Sequence, residues 1–221
     1  MREQRLAERT ISLPVASGES VAGDLGVPAG AAATVVFAHG SGSGRHSSRN
    51  RWVAGALQER GFATLLFDLL SPSEEREDEV SGALRFDIPL LAQRVRAVAG
   101  WVHAEPELGQ LPLGYFGAST GAAAALVAAA GDPAVGAIVS RGGRADLAGA
   151  ALERVTAPTL LLVGSLDVPV IAMNREAFER LAAPDKELTI VPGASHLFEE
   201  PGKIEEVAAR AADWFERWLV R

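Results

Sequence analysis

One stretch limits this chain more than any other. The run Leu113-Gly114-Tyr115-Phe116 is apolar, breaks at Gly117-Ala118-Ser119-Thr120-Gly121, and passes at once into alanines from Ala122. The pattern predicts a buried strand, a sharp turn and a helix start, with Ser119 at the apex. The G-x-S-x-G spacing has a steric reason. A residue at the tip of a strained strand-to-helix turn brings strand and helix into contact, and only residues without bulky side chains fit two positions before and two after it, which Gly117 and Gly121 supply. The helix N-terminus then points free N–H groups and its positive dipole end at the serine. Such a serine is presented as a nucleophile; an ordinary glycine-rich turn is the plain alternative. The rest of the chain has to supply a base, an acid and donors for a developing negative charge.

The segments around this turn alternate. Thr10 to Val15 and Ser20 to Val27 read as a hairpin turning at Ala16-Ser17-Gly18-Glu19 on a sheet edge. Ala33 to Ala38 and Phe62 to Phe67 are continuously apolar, as strands buried on both faces are. Arg49 to Arg60 between them has a helical face of Trp52, Val53, Ala56 and Leu57. Ser71 to Glu79 is acidic and reads as a solvated loop or frayed turn. Ile88, Leu91, Val95, Val98 and Val102 mark an amphipathic helix. Short strands follow at Val135 to Val139, Thr159 to Val163 and Glu187 to Val191, with a helix around Ala172 to Leu181. A last helix carries Ile204, Val207, Ala211, Trp214, Phe215 and Trp218 on one face. Strands alternating with helices predict an α/β fold: a mostly parallel central sheet flanked by helices on both faces. Sites in such sheets form at the carboxyl ends of the strands, and His39, Asp68, Ser119, Arg141, Asp167 and His196 each follow a predicted strand.

With 221 residues, 48% of them hydrophobic and 22% charged, the chain suffices for one core, and no linker or repeat divides 1–221. The charged start, Met1 to Arg9, lacks the apolar segment of a signal peptide, and no apolar run reaches the roughly 18 residues of a membrane span. There is no cysteine, hence no disulfide and no thiol nucleophile. A cytoplasmic protein is expected. The net charge of −7 argues against nucleic acid or an anionic membrane as partner. Composition leaves the oligomeric state open.

A serine hydroxyl needs a base, and the chain has 4 histidines. His103 ends a surface helix and reads as solvated. His46 lies in a polar loop, either as a surface residue or as a substrate contact. His39 opens the turn His39-Gly40-Ser41-Gly42-Ser43-Gly44 and pins that loop. His196, in Pro192-Gly193-Ala194-Ser195-His196, is the candidate base; a capping role is the alternative. Asp167, after Leu161-Leu162-Val163-Gly164-Ser165-Leu166, is the candidate acid that orients it, or else a helix-capping aspartate. Asp68, which precedes the serine, is read as holding loops, and Asp146 is a weaker rival. The oxyanion needs two fixed donors: the N–H of Thr120, next to the nucleophile, and an N–H from the glycine-rich loop, assigned to Ser41. That loop lacks the spacing of a phosphate-binding loop. No clustered ligand set appears, so neither a metal nor another cofactor is expected. Arg45, Arg49, Arg51, Arg141 and Arg144 fall near the same end of the sheet. They either pair with the Glu74 to Glu79 segment or form a positive rim for an anionic substrate, with Arg141 the best single candidate.

With these pieces in place the sequence resembles the α/β-hydrolase superfamily, and within it the dienelactone hydrolase-like proteins. The likeness runs from the His39 to Gly44 loop through Gly117 to Gly121 and on to Gly193-Ala194-Ser195-His196. It implies a minimal, lidless α/β-hydrolase domain, since the stretch from Ser140 to Pro158, where larger relatives insert a lid, is short. Dienelactone hydrolases use a cysteine nucleophile; Ser119 in a chain without cysteine implies a serine esterase acting on a small-molecule ester. Two other readings remain: an acyltransferase using the same acyl-enzyme, and a non-catalytic binding protein on a hydrolase fold.

Overall fold

The computed structural model describes residues 6–15 and 18–220. Its strands and helices run β1 (Leu6–Pro14), β2 (Ser20–Pro28), β3 (Ala33–Ala38), α1 (Ser48–Glu59), β4 (Phe62–Phe67), α2 (Pro72–Ser81), α3 (Ile88–Ala104), β5 (Leu113–Ala118), α4 (Thr120–Ala129), β6 (Val135–Arg141), β7 (Thr159–Gly164), α5 (Val168–Arg180), β8 (Lys186–Val191) and α6 (Lys203–Leu219). All strands join one sheet in the order β1-β2-β4-β3-β5-β6-β7-β8. β1 and β2 are antiparallel to each other, and β2 to β4; every other pairing is parallel. The hairpin-turn residues Ala16 and Ser17, and Met1 to Arg5 of the charged start, lie outside the described residues.

β3, β4, β5 and β7 are buried along their whole length, which is why their sequences are apolar without alternation. One face of the sheet is covered by α1 and α6, where Val53, Leu57, Val207 and Phe215 share a cluster with Phe37, Phe62 and Phe116. Leu91, Val95 and Val98 of α3 and the alanines of α4 cover the other, with Leu65, Tyr115 and Ile138. α4 is buried at every position except Val127, and its alanine side chains leave room for that close packing. The chain leaves β3 for β4 on one side and reaches β5 on the other. Progress across the sheet therefore reverses between β3 and β5, where the diverging loops open a crevice at the carboxyl ends. Among the described residues no helix is long and apolar enough to cross a membrane.

Several local expectations are corrected. The acidic stretch after Ser71 is a helix, α2. Ser71 Oγ accepts the Glu74 N–H at 3.3 Å while Glu74 Oε2 accepts the Ser71 N–H at 2.8 Å, a reciprocal cap with Pro72 in the first turn. Nor is it simply solvated, since Glu74 pairs with the buried Arg94 and Asp78 with Arg85. β6 runs two residues further than expected and takes in Ser140 and Arg141. α5 starts at Val168, directly after Asp167. Between β6 and β7 lies a 3₁₀ stretch, Ala145–Arg154, interrupted at Gly149, and no lid is inserted there.

Candidate active site

Ser119 sits between β5 and α4 with φ 50° and ψ −122°. Among the described residues it is one of two non-glycine residues at positive φ, the other being Phe198. Such a conformation costs energy and survives only where neighbours over-determine it. Here the Ser119 N–H donates to Arg141 O at 3.2 Å, and Ser119 O accepts the N–H groups of Ala122 at 3.1 Å and Arg144 at 3.0 Å. The flanking glycines are compulsory. A Cβ on Gly117 would lie 2.4 Å from Ala122 Cα, and one on Gly121 would lie 2.2 Å from Ala38 O and 2.3 Å from His39 O. Strand, helix and the loop after β3 thus meet backbone to backbone around the serine.

His196 and Asp167 come together from the loops after β8 and β7. His196 Nδ1 lies 2.6 Å from Asp167 Oδ2. Asp167 stands at the N-cap position of α5, yet its side chain caps nothing; it turns to the imidazole instead. The two loops are stitched together, since Leu166 N–H donates to Ala194 O at 3.0 Å and Gly193 N–H to Ser165 Oγ at 2.7 Å. Three supports escaped the sequence reading. Gly164 admits no side chain, because a Cβ there would lie 2.3 Å from Ala194 O. Glu200 accepts the Ser195 N–H on both carboxylate oxygens at 3.1 Å. Gly142 lies close to the base: a Cβ on it would lie 3.5 Å from His196 Nδ1, while Arg141 before it and Arg144 two residues after it bond the Ser119 backbone. A glycine closely following a predicted strand was the only signal for Gly142 and Gly164, and Glu200 gave none.

The loop after β3 lies over the serine, and a Cβ on Gly40 would be 3.0 Å from Ser119 Cβ. His39 anchors the loop: Nε2 accepts the Leu69 N–H at 3.0 Å, and Nδ1–H donates to Gly40 O at 2.9 Å. Burial holds this imidazole below its ordinary pKa, so it is neutral. Asp68 accepts the Arg45 N–H at 2.8 Å and pairs with its guanidinium, which makes it a loop anchor. The Ser41 N–H donates to Thr120 Oγ1 at 2.9 Å. Thr120 opens α4, so its own N–H has no acceptor within the helix. His39, Gly40, Ser41, Asp68 and Thr120 line a cavity of about 440 Å³.

The arginines divide. Arg45 pairs with Asp68 and Asp24, Arg49 with Glu199 at 2.9 Å, and Arg144 with Asp146 at 2.8 Å. None of these takes its partner from Glu74 to Glu79, the pairing expected for a plain surface. Arg141 differs. It is 6% exposed and has no carboxylate partner among the described residues. Its guanidinium reaches Leu197 O at 3.5 Å and Asn50 Oδ1 at 3.3 Å and lies 6.0 Å from the Phe198 ring, and its Nε has no partner. Burial and the neighbouring Arg49 push it down to about 10. His46 is largely exposed on the same cavity, with Nδ1 3.6 Å from Asp24 Oδ2.

Comparison with known proteins gives the family and the fold. The profile of the dienelactone hydrolase family matches residues 21–220. A crystal structure of a dienelactone hydrolase from Anabaena variabilis is 52% identical and superposes with a TM-score of 0.93, covering 97% of this chain and 99% of that one. A Pyrococcus furiosus esterase, 18% identical, shares the fold at a TM-score of 0.78 over 97% of this chain and 92% of its own. Two Mycobacterium tuberculosis proteins named "Putative phosphoribosyl transferase" are 58% identical over 204 residues, 91% of this chain. The chain spans only 44% of their length. On a family match covering nearly all of its length and a close structural relative within that family, this chain belongs to the dienelactone hydrolase family, on the α/β-hydrolase fold.

Proposed function

We propose that the chain is a serine hydrolase that cleaves small carboxylic esters through an acyl-enzyme on Ser119. Ser119 Oγ attacks the ester carbonyl while His196 takes its proton. Asp167 holds the Nδ1–H side of the imidazole and stabilises the imidazolium that forms. The carbonyl oxygen, now negative, is met by the Thr120 N–H at the start of α4. His196 then returns its proton to the departing alcohol, and a water attacks the acyl-enzyme by the same route in reverse. Every step uses side chains, backbone amides and water alone. The observation that carries this reading is the 2.6 Å Asp167–His196 bond, set beside a serine held at positive φ on the turn between β5 and α4.

Arg141 and His46 are proposed as substrate contacts. A buried guanidinium without a carboxylate among the described residues, on the residue whose carbonyl accepts the Ser119 N–H, suits a carboxylate or phosphate on the substrate. His46, at the open side of the cavity, suits the polar end of the alcohol. The acyltransferase alternative keeps the same acyl-enzyme and replaces water by another acceptor. The test is Ser119→Ala, which should stay folded and lose ester hydrolysis by about 10⁶. Retention of a tenth of the activity would remove Ser119 from the mechanism. Competing alcohols in the wild-type reaction separate transfer from hydrolysis by their products. Arg141→Ala should weaken kcat/KM for a carboxylate-bearing ester about tenfold while sparing a neutral one; equal losses would leave Arg141 only as a brace for the His196 loop.

A further inference from the structure

Thr120 carries a hydroxyl that the reaction described above does not use. Its side chain is buried, 2% exposed, and its Oγ1 accepts the Ser41 N–H at 2.9 Å. An amide has one proton, and this one is spent on Thr120, not aimed at a substrate oxygen. The hydroxyl, by contrast, has used one lone pair and kept its proton. Thr120 is the first residue of α4, so no helical carbonyl lies one turn back to receive that proton. Thr120, Gly40 and Ser41 line the same cavity. Gly40 in turn comes so near the nucleophile that a Cβ on it would be 3.7 Å from Ser119 Oγ.

We propose that the Thr120 hydroxyl is itself a catalytic donor to the oxyanion, with the Ser41 amide standing behind it. The inference rests on the serine-ester reading. When Ser119 Oγ bonds to the carbonyl carbon, the C=O π pair moves to the oxygen and His196 takes the hydroxyl proton of the serine. The new negative charge is met by two donors from one residue, the Thr120 N–H and the Thr120 Oγ1–H. The Ser41 N–H, donating into Oγ1, polarises that O–H and makes it a better donor. No proton changes owner at Thr120. When the intermediate collapses, the electron pair returns to C=O, the bond to the alcohol breaks, and the proton on His196 goes to the alcohol. The arrangement assigns Ser41 an indirect part, in place of the direct one that its sequence position implies.

Opposite outcomes follow for one variant, Thr120→Val, which keeps the shape and removes the hydroxyl. If the Ser41 amide were the donor, the hydroxyl would only compete with the oxyanion, and its removal would leave kcat unchanged or raise it. As a donor, its loss should lower kcat by about 10² to 10³. The experiment measures kcat and KM on p-nitrophenyl acetate for wild type, Thr120→Val, Thr120→Ser and Ser119→Ala. Alongside these runs the rate of fluorophosphonate labelling, with the labelled residue located by mass spectrometry. The proposal requires a fall of at least about 100-fold in kcat for Thr120→Val with KM within about threefold, and recovery to within about tenfold in Thr120→Ser. An undiminished kcat in Thr120→Val overturns it. So does a Thr120→Ser variant as poor as Thr120→Val, or a loss that appears in KM, since either would make the residue a support for the loop. An active Ser119→Ala, or a label on another residue, would instead refute the serine-ester reading independently of Thr120.

Discussion

The strain at Ser119 can be weighed against relaxation of the same residue. At φ 50° and ψ −122° an L-residue is held in a region that costs about 1–3 kcal/mol, whereas glycine adopts it freely. Ser119→Ala and Ser119→Gly both delete the hydroxyl and both abolish the nucleophile, so the difference between them isolates the backbone. Alanine keeps the strain. Glycine releases it but gains freedom in the unfolded chain, which offsets about 0.5–1 kcal/mol. At the middle of those ranges the balance favours Ser119→Gly by about 1.2 kcal/mol. For a domain of 150–250 residues that corresponds to a Tm about 2–5 °C above that of Ser119→Ala. Part of any gap would come from the ordinary preference for glycine over alanine at a helix N-cap. The same pair of substitutions at Ser47, the N-cap of α1 with φ −49°, measures that part. Thermal unfolding followed by circular dichroism reads all four variants. A glycine variant at Ser119 no more stable than its alanine counterpart, or a gap no larger than at Ser47, would refute the claim that the turn stores strain.

Three further outcomes are expected. Asp167→Asn should lower kcat by about 10⁴, because the imidazole loses its orienting carboxylate; Asp68→Asn should act on stability more than on kcat, and the reverse ranking would move the acid role to Asp68. His39 is held neutral, so the native state binds fewer protons there than the unfolded chain. Stability should therefore fall as pH drops through the window below the unfolded value near 6.5, by at most about 1.4 kcal/mol per pH unit from this group. Urea unfolding of His39→Gln should show a flatter profile between pH 7 and 5, and a slope equal to that of wild type would exclude His39 as its source. Short acyl esters should be preferred. Leu147, Leu166, Val168 and Leu197, in the segments that follow β6, β7 and β8, are 36 to 68% exposed, too open to supply the roughly 0.8 kcal/mol per buried CH₂ of an enclosed channel. A kcat/KM that climbs steadily to long chains would contradict this.

The parts of the fold legible in the sequence are those where one residue's neighbours in sequence are also its constraint in space. β3, β4 and β7 show as unbroken apolar runs because both faces of each are covered. The turn at Ser119 shows through Gly117, forced by Ala122 five residues on, and through the spacing of Gly121 from the serine, although what forces Gly121 is the distant backbone of Ala38 and His39. α2 was misread because acidic composition masked the Ser71 and Glu74 cap, which is visible at a spacing of three. β6 was cut short because Ser140 and Arg141 are polar, yet parallel pairing with Leu161 and Leu162 carries the strand through them. The ion pairs were out of reach for another reason: Arg49 finds Glu199 150 positions away, a partner set by which loops the sheet order brings together. The same holds for Glu200 and Gly164, whose roles exist only once the loops after β7 and β8 are side by side.

β8 closes the sheet with one neighbour only, β7, and is the strand that leads into His196. It is mostly half-buried or exposed, whereas β5, which leads into Ser119, is buried throughout. Regions with fewer covered contacts open first when a protein is stressed. The nucleophile is therefore carried by the strand that survives longest and its proton acceptor by one that detaches early. Turnover should accordingly fade in denaturant before the bulk of the sheet melts, and removing the denaturant at that stage should restore it as fast as one edge strand can re-dock.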